Sequence, residues 1–167
     1  MGSLDGVYAT QSAWRDGHEV VTLLFDPNEI SYETLVQKAK QFKCTSRVFT
    51  HSNEHLEIAK KLVGSKAVMA DDKSQRPRPA SRSDQLYHLT HSPLKSLPLC
   101  RYQMMKLNAA IGTRRADDSL LSPGQIKLAN AILDKSNASA ISGFVSPSSD
   151  NELGAYTAKL KKALSIE

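Results

Sequence analysis

Cysteine is scarce in this chain: Cys44 and Cys100 are the only two in 167 residues. Two are too few for a disulfide scaffold. They form no Cys-x-x-Cys pair, and no cysteine–histidine spacing suggests zinc. Either is by default a small buried apolar residue. Aromatics make up 6% of the residues, and tryptophan occurs once, at Trp14. The denser basic stretch Lys73–Arg82 has no aromatics interleaved. It reads as a solvated loop rather than a nucleic-acid surface, although the chain carries a net charge of +5. No apolar run approaches the roughly 18 residues that cross a bilayer. Met1–Asp5 has no basic segment leading into an apolar core, the pattern of a signal peptide. Neither nucleic acid nor membrane is therefore expected as a partner, and no compartment follows. A glycine-rich phosphate loop, a Walker pattern, a Ser-His-Asp order and internal repeats are all lacking. His51 and His55 are four apart, but a strand-to-helix junction between them spoils a shared face. His88 and His91 have no carboxylate or thiol at a telling spacing, so no metal site is expected.

What is present suits one domain with a real core and a small appendage, since 40% of the residues are apolar and 23% charged. Val7–Trp14 reads as a strand, bounded by Gly6 and the turn Arg15-Asp16-Gly17. His18–Phe25 is a second strand, and the short Asp16-Gly17 connection favours a hairpin. Its nearly continuous Val-Val-Thr-Leu-Leu-Phe run suggests a central strand covered on both faces. Asp26-Pro27-Asn28 stops it. Ser31 then caps a helix over Tyr32–Phe42, with Leu35, Ala39 and Phe42 facing the core. Arg47–Thr50 is a third short strand, and Ser52-Asn53 opens a helix over Glu54–Val63, with Leu56, Ala59, Leu62 and Val63 inward and Gly64 as its terminator.

Residues 65–85 are polar and proline-containing, so they read as a loop or extended linker. A short helix or turn is expected around Asp84–Thr90. Beyond it the chain looks helical: Arg101–Ile111 ending at Gly112, then Ser122-Pro123 opening a helix to about Leu133, with Ile126, Leu128, Ala129, Ile132 and Leu133 as its apolar face. A last amphipathic helix spans Asn151–Leu164. The order β-β-α-β-α followed by helices predicts an α+β fold, helices packing one face of a mainly antiparallel sheet in a split β-α-β arrangement.

The most informative stretch is Gly17-His18-Glu19-Val20-Val21, then Phe25-Asp26-Pro27, Ile30-Ser31-Tyr32 and Leu35. It resembles the segment of peptide methionine sulfoxide reductase A that reads Gly-His-Ala-Glu-x-Val, a strand, Tyr-Asp-Pro, then Ile-Ser-Tyr and a leucine. One residue between the Gly-His and the glutamate is missing here. Arg47-Val48-Phe49-Thr50-His51-Ser52-Asn53-Glu54-His55 is similar to that family's Ser-Ala-Ile-Tyr-Tyr-His-Ser-Glu-Glu-Gln strand and helix start. Gly6-Val7-Tyr8-Ala9-Thr10 resembles the strand after its first helix, and Asp84-Gln85-Leu86-Tyr87-His88-Leu89 more distantly its His-Gln-x-Tyr-Leu region. Ser83-Asp84-Gln85-Leu86-Tyr87 and Leu121-Ser122-Pro123-Gly124-Gln125, with the short hairpin, look like a divergent set of such domains joined to thioredoxin-like modules. The resemblance covers residues 6 to 64 and extends to 84–93.

The resemblance implies a ferredoxin-like reductase A domain over residues 1–93, N-terminally incomplete, with residues 94–167 as a helical C-terminal extension. It implies reduction of the S epimer of methionine sulfoxide in peptides or proteins. In that chemistry a cysteine attacks the sulfoxide sulfur while a glutamate protonates the oxygen. Another thiol clears the resulting sulfenic acid, so a thiol reductant such as thioredoxin, or a thioredoxin-like module, is the implied partner and no bound cofactor is needed. Glu19 matches the acid. Pointing inward from an apolar strand, it would be stripped of water, which favours the protonated form a donor needs; as a plain solvent-facing strand residue it would do none of this. Cys44 falls where the family has a tyrosine. It is either a surrogate or resolving thiol, which needs a stabilised thiolate, or a buried structural cysteine. Trp14 is the candidate to line the substrate pocket, or else strand-end core packing. The family's nucleophilic Gly-Cys-Phe-Trp segment is absent from this sequence, and so is its tyrosine-bearing insertion between the first two strands. Two functions stand: a truncated or divergent thiol-dependent reductase domain, or a non-catalytic interaction or scaffold domain keeping the reductase fold.

Overall fold

The structure, a computed structural model, describes residues 1–71, 76–81, 84–114 and 118–166. Of the basic stretch Lys73–Arg82 only residues 76–81 are among them; the remainder, like Ser83, lies outside the described residues. The fold is mixed α and β. Contacts divide the chain into two compact units, Met1–Gln85 and Leu86–Glu167. The division precedes residue 93 because the chain from Leu89 to Leu99 contributes Leu89, Leu97 and Leu99 to the second unit's core. No helix among the described residues is long and apolar enough to cross a membrane.

The first unit runs β1 (Val7–Arg15), β2 (His18–Phe25), α1 (Tyr32–Gln41), β3 (Val48–Thr50), α2 (Asn53–Val63), β4 (Ala67–Met69) and β5 (Arg78–Pro79). β1 and β2 form the expected hairpin, closed by a two-residue turn in which Asp16 has φ 50° and Gly17 φ 75°. Positive φ at both positions is the type I′ turn, whose twist matches that of paired strands. From Ala9 onward the pairing is continuous to Arg15↔His18, with one bulge between Val7 and Ala9.

The expectation that β2 is central and covered on both faces is corrected. The sheet order is β2-β1-β5, so β1 is central and β2 is an edge. Burial alternates along β2, and Leu24 is 65% exposed. The strand that centres β1 is only two residues long and comes from the stretch read as linker, where no period can register. Where β5 ends, Gln85 continues the edge: its amide Nε2 donates to Ser12 O at 2.7 Å and its Oε1 accepts from Ser12 N at 3.1 Å. One side-chain amide thus takes the place of a peptide unit, leaving that part of the ladder satisfied.

β3 and β4 pair in parallel with α2 between them, a small β-α-β crossover. β4 was not legible because three residues carry too little pattern. Ser31 and Ser52 cap α1 and α2, accepting from Thr34 N at 3.1 Å and His55 N at 3.2 Å. Gly64, at φ 61°, terminates α2. In α1 the buried pair is Leu35 and Val36, and Phe42, expected inside, is 45% exposed at the C-cap. Helix α1 ends one residue early because the chain turns away at Lys43, which has φ 59°.

The second unit contains α3 (Tyr87–Thr90), α4 (Arg101–Thr113), α5 (Pro123–Leu133) and α6 (Leu153–Ala163). α4 continues one residue past Gly112 and is turned by Arg114 at φ 54°. α5 opens with a capping box: Ser122 Oγ accepts from Gln125 N at 3.3 Å, and Gln125 Oε1 from Ser122 N at 2.9 Å. Gln125 Nε2 also reaches Pro98 O at 2.8 Å and Gln103 Oε1 at 2.9 Å, tying α4 and α5 together. The core gathers Leu97, Leu99, Met104, Leu128, Ile132, Leu160 and Leu164. Ile126 and Leu133, expected on the inner face of α5, are exposed. α6 begins two residues later than expected, after a 3-10 turn at Asp150–Glu152.

Candidate functional site

The hairpin turn sets the geometry of the candidate site. With Asp16 and Gly17 as the loop, Trp14 stands directly opposite Glu19 in the register of β1 and β2. Residues directly opposite project to the same face, so indole and carboxylate are neighbours. On its other side Trp14 pairs with Arg78 of β5. Glu19, Trp14 and Arg78 therefore make a row across three strands, with acid, aromatic and base in that order. All three are exposed, Trp14 by 44%. Of the two readings of Glu19, inward-pointing and solvent-facing, the structure shows the second: β2 is an edge strand, and this position faces solvent.

Next to the row lies a cleft of about 370 Å³, lined by Trp14, Arg15, Asp16, Gly17, Arg76 and Arg78. Arg15 projects to the opposite face and is 4% exposed. Its Nη2 donates to Asp71 O at 3.1 Å, its guanidinium carbon stands 5.1 Å from the centre of the Phe49 ring, and its Nε is 4.0 Å from Asp16 Oδ2. A guanidinium is weakly hydrated and planar, so it tolerates this burial against an aromatic face better than an ammonium would.

Cys44 is elsewhere. It follows α1 in a turn, not on a strand, and its thiol is exposed, donating to Phe42 O at 3.4 Å. The alternative that Cys44 is a buried structural cysteine is thereby corrected. A broader groove of about 660 Å³ opens between the C-terminal ends of α1 and α2, lined by Lys40, Lys43 and Lys66 with Thr45, Ser46 and Gly64 among others. Lys40 Nζ donates there to Leu62 O at 3.1 Å. Cys44 lines neither this groove nor the Trp14 cleft. Cys100 is half-buried at the start of α4 in the second unit.

One pairing escaped the sequence reading. Tyr32 and His55 stack with ring centres 3.9 Å apart and planes at 12°, joining the first turns of α1 and α2. Burial raises the Tyr32 hydroxyl's pKa above the usual tyrosine value. Each residue sits three or fewer positions into a capped helix, and only the packing of the two helix starts could reveal that they meet. Among the described residues no group of three histidine, cysteine, aspartate or glutamate side chains is arranged to hold a metal ion. Compared with protein-family models, curated proteins and solved structures, the chain matches none.

Proposed function

We propose that the N-terminal unit is a peptide-methionine (S)-S-oxide reductase-like domain, of the ferredoxin-like reductase A type, acting in thiol-dependent reduction of oxidised methionine. The observation that supports it is the Trp14–Glu19 pair across the hairpin. An exposed indole offers an apolar face to the S-methyl group. The Glu19 carboxyl beside it is the group assigned to hydrogen-bond the sulfoxide oxygen and pass it a proton, which makes the sulfur electrophilic. A thiolate attacks that sulfur, the oxygen passes to the cysteine as sulfenic acid, and methionine leaves as the thioether. A second thiol then condenses with the sulfenic acid, releasing water, and a thioredoxin-like dithiol reduces the disulfide. Cys44 is the cysteine this unit supplies, so the attack is assigned to its exposed thiol, and an external thiol resolves the sulfenic acid.

The test is turnover of S-epimer methionine sulfoxide with dithiothreitol, comparing wild type with Cys44→Ser and Glu19→Gln. Loss of turnover in both variants is expected, Glu19→Gln by about 10²-fold or more if it is the acid. Full activity in Glu19→Gln would sink the assignment. The second reading, a non-catalytic interaction or scaffold domain keeping this fold, is favoured by the separation of Cys44 from the cleft that holds Trp14. It requires no turnover in the wild type.

A further inference from the structure

We propose that the cleft beside Trp14 selects acidic peptides, so that the oxidised methionine it receives has a carboxylate side chain within about two or three positions. This rests on the reading of Trp14 and Glu19 as the sulfoxide-facing pair. Among its described lining residues the cleft sets two exposed guanidiniums, those of Arg76 and Arg78, against one carboxylate, Asp16. Arg15 is held below by the Asp71 carbonyl and the Phe49 ring. Arg76 and Arg78 are exposed and face the opening. Planar guanidiniums take carboxylates through paired N–H donors. The added Cβ of a side chain at Gly17 would meet nothing within 4 Å, so the turn leaves the mouth open.

The row itself supplies the spacing. Glu19 and Arg78 are each one strand away from Trp14, hence ~10 Å apart across the sheet. A sulfoxide over Trp14 and Glu19 thus leaves a neighbouring acidic side chain of an extended peptide within reach of Arg78 and Arg76. A run of phosphates is a poorer fit. Asp16 and Glu19 flank the indole, and a strand of nucleic acid laid across it would bring phosphates against these carboxylates. Trp14 is also the sole aromatic lining the cleft among the described residues, whereas single-strand binders stack successive bases on several.

Trp14 is the only tryptophan in the chain, so its fluorescence reports the cleft directly. The intact chain is titrated with four short synthetic peptides: methionine or its S-sulfoxide, each flanked by aspartates or by lysines. Oligothymidylate is titrated in parallel. The aspartate-flanked sulfoxide is expected to bind most tightly, with affinity falling as salt is added. Arg78→Gln and Arg76→Gln should each weaken it, roughly fivefold. Arg76 lies outside any strand, so its variant decides if Arg78→Gln disturbs the sheet. Equal affinity for aspartate- and lysine-flanked sulfoxides overturns the acid selectivity and leaves the sulfoxide reading standing. Aspartate-flanked peptides that bind equally with and without the sulfoxide oxygen keep the acid-selective cleft and overturn the sulfoxide reading. Tighter binding of oligothymidylate, or no binding of any peptide, overturns the proposal.

Discussion

Tyr156 shows how one side chain ties local burial to the behaviour of its unit. Its hydroxyl donates to Ser96 O at 2.7 Å, and its ring meets Phe144 edge-on at 5.9 Å. Ser96 is buried, so this hydroxyl satisfies a carbonyl that water reaches poorly. Burial pushes the Tyr156 pKa up to about 12, from about 10 in an unfolded chain. A folded-state value raised above the unfolded one means the folded protein holds the proton longer. The stabilisation is therefore complete below about pH 10 and is lost as pH rises through about 12. Tyr156→Phe should cost about 0.5–1.5 kcal/mol at neutral pH. Urea melts at rising pH should show wild type and variant converging over that alkaline window. A constant gap would mean that the hydroxyl does not titrate as the fold requires.

At the scale of elements, the local rules hold wherever a signal is chemically specific. Ser31, Ser52 and Ser122 cap helices because a hydroxyl at a helix start satisfies an orphan N–H. Asp16-Gly17 makes a two-residue hairpin because both residues tolerate positive φ. The end of α1 had no such signal. Lys43 N bonds Lys40 O at 3.0 Å and Cys44 N bonds Ala39 O at 2.8 Å, with Lys43 at φ 59°. This is a Schellman motif built on lysine where glycine is usual. It carries Cys44 off the helix into solvent, which no pattern in Gln41-Phe42-Lys43-Cys44 announces. Because lysine is strained in the left-handed region, Lys43→Gly should raise stability by about 0.5–1 kcal/mol. A chemical-denaturation midpoint lower than wild type would show that the lysine side chain makes a compensating contact.

At the scale of the whole molecule, the two units differ in what they bury. Among the described residues, the apolar core of Met1–Gln85 is Val7, Ala13, Ile30, Leu35, Val36, Ala59, Ala67 and Ala70, half of it alanine. The second unit buries Leu97, Leu99, Leu128, Ile132, Leu160 and Leu164 in one cluster. Burial scales with apolar area, so residues 86–167 expressed alone should melt cooperatively, followed by circular dichroism. Leu160→Ala, which empties a site of 0% exposure, should lower their stability by about 2–5 kcal/mol. A broad, non-cooperative transition for the fragment would show that its core is insufficient by itself.

The sequence by itself determined the α+β class, the hairpin with its turn, the capped starts of α1, α2 and α5, and the helical character of the C-terminal part. Each depends on neighbours a few residues apart, where propensity and hydrogen bonding act directly. The tertiary structure alone decided that β1 is central and β2 an edge, that Glu19 faces solvent beside Trp14 and Arg78, and that Cys44 lies outside their cleft. Those outcomes turn on pairing β1 with two residues some sixty positions later in the chain, and on how a helix end is turned. A strand so short has no period to read, and its place is chosen by the ladder it completes rather than by its own residues.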